Sequence, residues 1–149
     1  HARFIDAKLA SLMYKAGFKA IRLGLETVSD GRLDNKVTFE EFNQAVRCLK
    51  EAGFKKEQIV GYLLMGLPNQ SPEEVESAVR MVQKCGAAAY LAEYSPIPGT
   101  ALWKDAVLCS RYALPEDPLT HNNTAMPCLS KSFTWEHVRK LKKLAHSRP

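Results

Sequence analysis

The stretch Ile59-Val60-Gly61-Tyr62-Leu63-Leu64-Met65-Gly66-Leu67-Pro68 runs directly into Asn69-Gln70-Ser71-Pro72-Glu73-Glu74. Its first part is a continuous apolar run that ends at Pro68, which predicts a buried strand over Ile59–Leu67. Its second part places Ser71 as a helix cap, with Pro72 at the first helical position and acids in the first turn. The stretch therefore predicts a strand that passes through a tight turn into a helix, which is one βα unit.

The same unit recurs on both sides of this stretch. Glycine just past an amphipathic run is typical of a helix end, because glycine adopts the left-handed conformation without steric cost, and three glycines stand there: Gly17, Gly53 and Gly86. Strand candidates follow at Ala20–Glu26, Ile59–Leu67 and Ala88–Tyr94. Helix starts are marked by capping residues at Asp6, Thr38 and Ser71. Alternating strands and helices predict the α/β class with parallel strands, in an open sheet or a barrel.

The number of strands predicts only part of a barrel. Three strands do not close one, and His1-Ala2-Arg3-Phe4 is expected to be the tail of a fourth. We therefore expect a partial (β/α) barrel fragment over residues 1–104. A loop-rich segment over 105–130 follows, and then a basic C-terminal helix within 131–149, capped by Thr134 and ending near His146.

Length and composition exclude several classes. The chain has 149 residues, of which 46% are hydrophobic and 25% charged. These values suit one soluble globular domain and exclude a disordered chain. No apolar run approaches the roughly 20 residues of a membrane span, and the N-terminus does not resemble a signal peptide. We expect a cytoplasmic protein.

The net charge of +5 is confined to the C-terminal tail. Residues 1–130 hold 15 basic and 15 acidic residues, whereas the last 19 hold six basic residues and one acid. Such a tail is either a solvated helix face or, as a less favoured alternative, a contact for RNA or a protein.

Cysteine and histidine spacing predicts no metal site in this chain. Cys48, Cys85, Cys109 and Cys128 are 37, 24 and 19 residues apart, far from the short spacing of zinc or iron–sulfur loops. The four histidines form no ligand set with them. Free thiols in a reducing compartment are expected rather than disulfides.

The strand ends carry the candidate site, because ligands of parallel α/β folds bind at the carboxyl ends of the strands. Alternation along the first strand places Arg22, Gly24 and Glu26 on the face away from the helices. Glu26 is the last strand residue and can accept hydrogen bonds from the hydroxyls or the amine of a ligand. The alternatives are a solvated carboxylate or an ion pair with Arg22.

The other two strand ends allow two interpretations each. Gly66 permits a ligand to approach the backbone closely, or it serves only the geometry of a tight turn. In Tyr94-Ser95-Pro96-Ile97-Pro98-Gly99-Thr100, Tyr94 offers a flat ring at the same edge. A turn rich in proline and glycine also has a purely structural interpretation.

Three motifs in order resemble the second half of a radical S-adenosylmethionine (SAM) enzyme. They are Gly17-Phe18-Lys19-Ala20-Ile21-Arg22-Leu23-Gly24-Leu25-Glu26-Thr27, Leu64-Met65-Gly66-Leu67-Pro68 and Tyr94-Ser95-Pro96-Ile97-Pro98-Gly99-Thr100. The resemblance covers residues 1–104. When the segment His1-Ala2-Arg3-Phe4-Ile5-Asp6 is included, the resemblance is strongest to family members that carry an upstream cobalamin-binding domain.

The resemblance implies a six-stranded partial TIM barrel, of which this chain supplies the end of the third strand through the sixth. It implies that Glu26 contacts the ribose or methionine part of SAM, with Arg22 on the same face. Leu64 and Gly66 correspond to the segment that packs on adenine, and Tyr94 and Ser95 to the backbone at its edge. Asn69-Gln70 departs from the Gly-Glu pair of many relatives, which affects the expected contact at that helix start.

The family's three-cysteine loop, which binds a 4Fe–4S cluster, has no counterpart in this sequence. The resemblance therefore implies that the fragment alone is inactive and holds no catalytic or metal-ligating residue. A full-length parent would cleave SAM reductively to a 5'-deoxyadenosyl radical, or methylate with cobalamin. A cysteine triad roughly 100 residues upstream would establish this class.

Two alternatives remain at this level. One is a self-contained α/β binding module whose basic tail contacts RNA or protein, and the other is a fragment of an unrelated βα-barrel enzyme. The first strand would also have an unpaired edge, through which we expect the chain to self-associate. We expect a small-molecule substrate, with RNA as a less favoured alternative; the sequence does not specify its identity.

Overall fold

The computed structural model describes residues 1–28 and 37–147. Its regular elements confirm the α/β class. The strands are β1 (Ile21–Glu26), β2 (Ile59–Met65) and β3 (Ala88–Glu93). The helices are α1 (Ala7–Lys15), α2 (Phe39–Glu51), α3 (Pro72–Cys85), α4 (Trp103–Cys109) and α5 (Trp135–His146). Short 3-10 turns occupy Ala2–Phe4, Lys56–Gln58, Pro118–His121 and Asn123–Ala125.

The three strands form one parallel sheet in the order β1-β2-β3. Arg22 pairs with Val60 and Val60 with Ala88, so the strands run in register from their amino ends. The pairing of β1 with β2 shifts between Gly24 and Glu26, which is a bulge at the carboxyl end of β1. Helices α2 and α3 connect the strands, as parallel pairing requires.

Local capping determines where the helices begin, as the sequence predicts. The Asp6 carboxylate accepts from the N–H of Leu9 at 2.7 Å. Thr38 forms a capping box with Glu41, and Ser71 forms another with Glu74. Helix α3 ends at Gly86, which has a φ of 89°. These contacts satisfy backbone groups that a helix end otherwise leaves unpaired.

The main core lies between the sheet and helices α2, α3 and α5. On each strand every second residue is buried against these helices. Gly61 has no side chain because Phe42 of α2 and Val82 of α3 both press against it. A Cβ at this position would lie 2.9 Å from each of them. On the opposite face, Leu64 packs against a second apolar cluster that includes Ala106 of α4, which therefore covers part of the carboxyl end.

The C-terminal segment contributes to the same core. The apolar face of α5 packs on α3 and β3, and its residues Val138, Leu141 and Ala145 are buried. Lys142 forms an ion pair with Glu93 at the end of β3, and Lys140 pairs with Glu136 at 2.8 Å. The basic helix that the sequence predicts is therefore a packed element of the fold, with two of its lysines paired.

The expectation of a strand tail at the amino end is wrong. Ala2–Phe4 forms a 3-10 turn, in which the N–H of Phe4 donates to the His1 carbonyl at 3.1 Å. A strand needs a neighbour for its backbone groups. No strand pairs with this segment in the described chain, and the groups are satisfied locally.

The free edge of β1 leads to a prediction about assembly. β1 pairs on one side only within the described residues, and exposed apolar side chains lie on the adjoining segments, including Phe4, Leu12 and Phe18. Because an unpaired edge is a template for further pairing, we expect the 149-residue chain to dimerise as concentration rises. Multi-angle light scattering would show this as a mass that grows with concentration, whereas a constant monomer mass at high concentration would contradict it.

Candidate active site at the strand ends

The candidate site lies at the carboxyl ends of the strands, on the sheet face away from helices α2, α3 and α5. Arg22 and Gly24 of β1 point to this open face, since Ile21 and Leu23 beside them are buried; Glu26, beyond the bulge, is half-buried at the strand end. Leu64 of β2 has the same parity and is half-buried. Arg22 and Leu64 therefore share the parity of the open face, whereas the bulge removes Glu26 from the simple alternation that the sequence predicts.

Glu26 stands in an unusual backbone conformation. Its φ is 64°, a left-handed value for a residue other than glycine. The N–H of Thr27 donates to the carbonyl of Leu25 at 2.8 Å, which closes a three-residue turn around Glu26. Such conformations are held at a cost in free energy and concentrate at functional sites. Together with the bulge, this turn determines the direction of the Glu26 side chain at the end of β1.

The suggested ion pair between Arg22 and Glu26 is not formed, although both residues lie in the described range. Four residues along a strand span about 13 Å, which is too far for a direct pair. Within the described part of the chain the Glu26 carboxylate has no hydrogen-bond or salt-bridge partner.

Two aromatic side chains, Tyr62 and Tyr90, lie side by side just before the strand ends. The sequence-based candidates do not include them. Tyr62 pairs in register with Gly24 on one side and with Tyr90 on the other. The two rings lie 4.7 Å apart between centroids. A Cβ on Gly24 would meet nothing within 4 Å, so the face in front of it is open. Alternation alone could have found Tyr62, which is two residues before Leu64 and must share its face.

Gln70 organises the turn that follows β2. Its side-chain oxygen accepts from the N–H groups of Gly66 at 2.8 Å and Leu67 at 3.2 Å. Its side-chain nitrogen donates to the Leu64 carbonyl at 3.2 Å. Gln70 is only 6% exposed, and Asn69 before it takes a φ of 56°, which asparagine tolerates better than most residues. The Asn69-Gln70 pair thus fits the turn, with an amide that both accepts and donates.

The sequence predicts that a ligand can approach the Gly66 backbone closely, but in the structure the Met126 side chain lies there. Gly66 has a φ of 88°, and a Cβ there would lie 2.9 Å from Cε of Met126. The side chain of Leu129 is next, at 4.0 Å. Gly66 is therefore required both for the left-handed turn and for the packing of the 126–129 segment beneath it.

Tyr94 does not present a flat ring at the strand ends, in contrast to the expectation from sequence. It is 9% exposed and belongs to a second apolar cluster, called here the rim cluster: Leu67, Tyr94, Ala106, Leu114 and Cys128. A ring of this size gains more by burial among such side chains than by exposure. Burial, with Cys128 beside it, raises the pKa of Tyr94 to about 12. Its hydroxyl is buried without a hydrogen-bond partner among the described residues.

The backbone near Tyr94 remains at the strand ends. The N–H of Tyr94 donates to the Met65 carbonyl at 2.9 Å, which continues the sheet past β3. The Ser95 hydroxyl donates to the carbonyl of His121 in a following 3-10 turn. Ser95 therefore anchors the segment after α4 next to the site.

Metal-ligating groups do not converge in the described residues. No set of three or more His, Cys, Asp or Glu side chains there could hold a metal ion. All four cysteines are free thiols, two of them buried. Among the helices described, none is long and apolar enough to cross a membrane.

The fold and the site define a class: an α/β protein of parallel βα units whose strand ends carry a polar, ligand-accessible face. The radical SAM superfamily model matches residues 2–82. The chain belongs to the radical SAM superfamily. It is also 28% identical over 151 aligned residues to an uncharacterized methyltransferase of Pyrococcus horikoshii. That alignment covers 95% of this chain and 31% of the relative.

Proposed function

We propose that this chain supplies the β1–β3 part of the SAM-binding face of a radical SAM enzyme. In this proposal the Glu26 carboxylate accepts hydrogen bonds from the ribose hydroxyls or the amine of SAM. Leu64 packs on adenine, and the backbone at Tyr94 and Ser95 meets its edge. Arg22 lies deeper on the same face and supplies a positive charge beside the cofactor.

The three-residue turn around Glu26 is the observation that carries the proposal. It combines a left-handed φ of 64° with a bulge in the β1–β2 pairing. The half-buried Glu26 carboxylate has no partner among the described residues. A left-handed conformation of this kind costs stability and is typical of functional sites, which favours a role toward a ligand.

The residues present fit SAM better than they fit a cluster. A free carboxylate, an apolar side chain and a strand-end backbone are groups that suit a ribose, an adenine ring and its polar edge. A 4Fe–4S cluster needs cysteine thiolates, and the described chain brings no such set together. We propose that a longer protein containing this chain holds the cluster through other residues, and that the chain alone is inactive.

The reaction class follows from the family and the relative. SAM bound beside a reduced cluster supplies an adenosyl radical or a methyl group for the substrate. The relative from Pyrococcus horikoshii is named a methyltransferase, and we extend the proposal to methyl transfer. No described residue points to cobalamin, which remains part of the sequence-based expectation only.

The packing of α5 into the core decides how the alternative, an RNA- or protein-binding module, can be tested. Because Phe133, Val138, Leu141 and Ala145 are core residues, deleting residues 131–149 would damage the fold as well as any nucleic-acid contact. Reversal of the exposed charges at Arg139 and Lys143 is the cleaner test. Nucleic-acid affinity with a steep salt dependence, lost on reversal, would favour the module.

We expect Glu26→Ala, made in the longer protein, to weaken SAM binding about tenfold, which corresponds to about 1.4 kcal/mol. The reason is the loss of an acceptor for hydroxyl or amine hydrogens. Glu26→Gln should lose less, since its amide oxygen still accepts. Equilibrium dialysis with labelled SAM measures this, and iron content is checked in parallel.

Glu57→Ala is the matched control. Glu57 is exposed in the turn before β2, at the opposite end of the sheet, and its removal should leave the SAM affinity unchanged. Equal affinities of the Glu26→Ala variant and the unmodified protein would refute the role given to Glu26.

A further inference from the structure

Two cysteines far apart in the sequence meet in the rim cluster. Cys109 is the last residue of α4, and Cys128 follows the two 3-10 turns after it. Both thiols donate to the same carbonyl oxygen, that of Ala106, at 3.7 Å and 3.9 Å. The shared acceptor places the two thiol groups close together.

The backbone beside the two thiols is also joined. The N–H of Arg111 donates to the carbonyl of Pro127 at 3.3 Å. Residues 110–127 thus form a closed segment whose two ends already lie together at Cys109 and Cys128. A disulfide requires such proximity, because cysteines on distant backbones cannot be bridged without a large movement.

The two thiols differ in their surroundings. Cys128 is 2% exposed, and burial together with the neighbouring Cys109 raises its pKa to about 12. Cys109 is half-buried and is the thiol that a small solute can reach. The Tyr94 hydroxyl in the same cluster is buried without a partner in the described chain, and both thiols have the Ala106 carbonyl as their acceptor.

We infer that Cys109 and Cys128 form an oxidisable thiol pair, a modification site that a hydroperoxide converts to a disulfide. The inference does not depend on the proposed function, since it rests on contacts between these two side chains and their backbones. Cys48 and Cys85 lie on α2 and α3 and take no part in it.

The chemistry proceeds in two balanced steps with hydrogen peroxide as the oxidant. The Cys109 thiol gives up its proton as its sulfur attacks one peroxide oxygen: an S–O bond forms, the O–O bond breaks, and the released hydroxide takes up that proton and leaves as water. The Cys128 sulfur then attacks the Cys109 sulfur, the S–S bond forms and the S–O bond breaks. The proton of Cys128 leaves with the hydroxide as a second water. Two thiols lose two electrons, which the peroxide accepts.

The bridge would fasten the segment that covers the ends of β2 and β3. This segment carries His121, whose carbonyl accepts from Ser95 and whose ring lies 5.2 Å from that of Trp103. Oxidation would tie these contacts covalently to α4. The redox state of the pair would then determine how firmly the segment 110–127 stays over the strand ends.

The test treats the native 149-residue chain with a small excess of hydrogen peroxide and blocks the remaining thiols with maleimide. Trypsin digestion without reductant should then yield residues 105–111 joined to residues 112–131, with two hydrogen atoms fewer than the separate peptides. We expect this pair to exceed any other cysteine pairing by about tenfold. A phosphine reductant should separate the two peptides again.

The variants make the result specific. Cys109→Ser should abolish the linked pair and leave Cys128 alkylatable only on unfolding, whereas Cys85→Ser should leave the link intact. Mixed pairings that include Cys48 or Cys85 would overturn the inference. So would separate oxidation of Cys109 to the sulfinic acid with Cys128 still reduced. The cysteine pairing and the sulfinic acid at Cys109 are both measured on the unmodified chain. The test therefore does not depend on whether a variant folds.

Discussion

Replacing Phe42 by alanine is expected to lower the free energy of unfolding by about 3–5 kcal/mol. Phe42 is fully buried in α2. Its ring lies against Gly61 of β2, where an added Cβ would be 2.9 Å from it. Removal of the ring leaves a cavity between helix and sheet that neither the glycine nor the rigid strand can fill. Chemical denaturation followed by circular dichroism measures the loss.

The matched control for this prediction is Phe18→Ala. It makes the same change at a side chain that is 50% exposed, and we expect a loss of less than about 1 kcal/mol. Similar losses for the two variants would mean that Phe42 does not occupy the main core as described. A change in the denaturant slope would indicate an altered unfolded or native state rather than a cavity.

Gln70→Ala is expected to destabilise the chain by about 2–4 kcal/mol, since an orphaned buried polar group costs about 1–3 kcal/mol. The substitution leaves the N–H groups of Gly66 and Leu67 and the carbonyl of Leu64 without their partner. Penetrating water would recover part of that cost. Because the same turn holds Leu64 and Gly66, the variant should also loosen the candidate site. Thermal unfolding and amide hydrogen exchange at Gly66 and Leu67 measure both effects.

Two further variants separate the causes. Gln70→Glu keeps an acceptor for the two N–H groups but cannot donate to the Leu64 carbonyl when ionised, so we expect an intermediate loss. Gln44→Ala removes an exposed amide from α2 and should cost less than about 0.5 kcal/mol. Unchanged hydrogen exchange at Gly66 in Gln70→Ala would show that the amide does not hold this turn.

Much of the fold is predictable because its signals are local. Caps at Asp6, Thr38 and Ser71 act within one helical turn, and the strand alternation that exposes Arg22 is a property of neighbouring residues. The α/β class, the strands and the helices follow from such signals. The expected strand at His1–Phe4 fails because a strand, unlike a capped helix, needs a neighbour for its backbone groups.

The candidate site is predictable only in part. The strand-end positions of Glu26 and Leu64 follow from the sequence. The bulge and the turn at Glu26 do not, since any glutamate can end a strand in an extended conformation. Gln70 stands out in the sequence only as a departure from the family. Its three hydrogen bonds depend on how the chain folds back after β2.

The sequence by itself determined the βα units, their boundaries and the membership of the radical SAM superfamily, because these depend on residues close together along the chain. The tertiary structure decided what fills the strand ends. Met126 packs on Gly66, the Tyr94 ring turns into the rim cluster, and Cys109 and Cys128 share the Ala106 carbonyl. Each of these contacts joins segments distant in the sequence, and such pairings are chosen by the packing of whole side chains rather than by local preference.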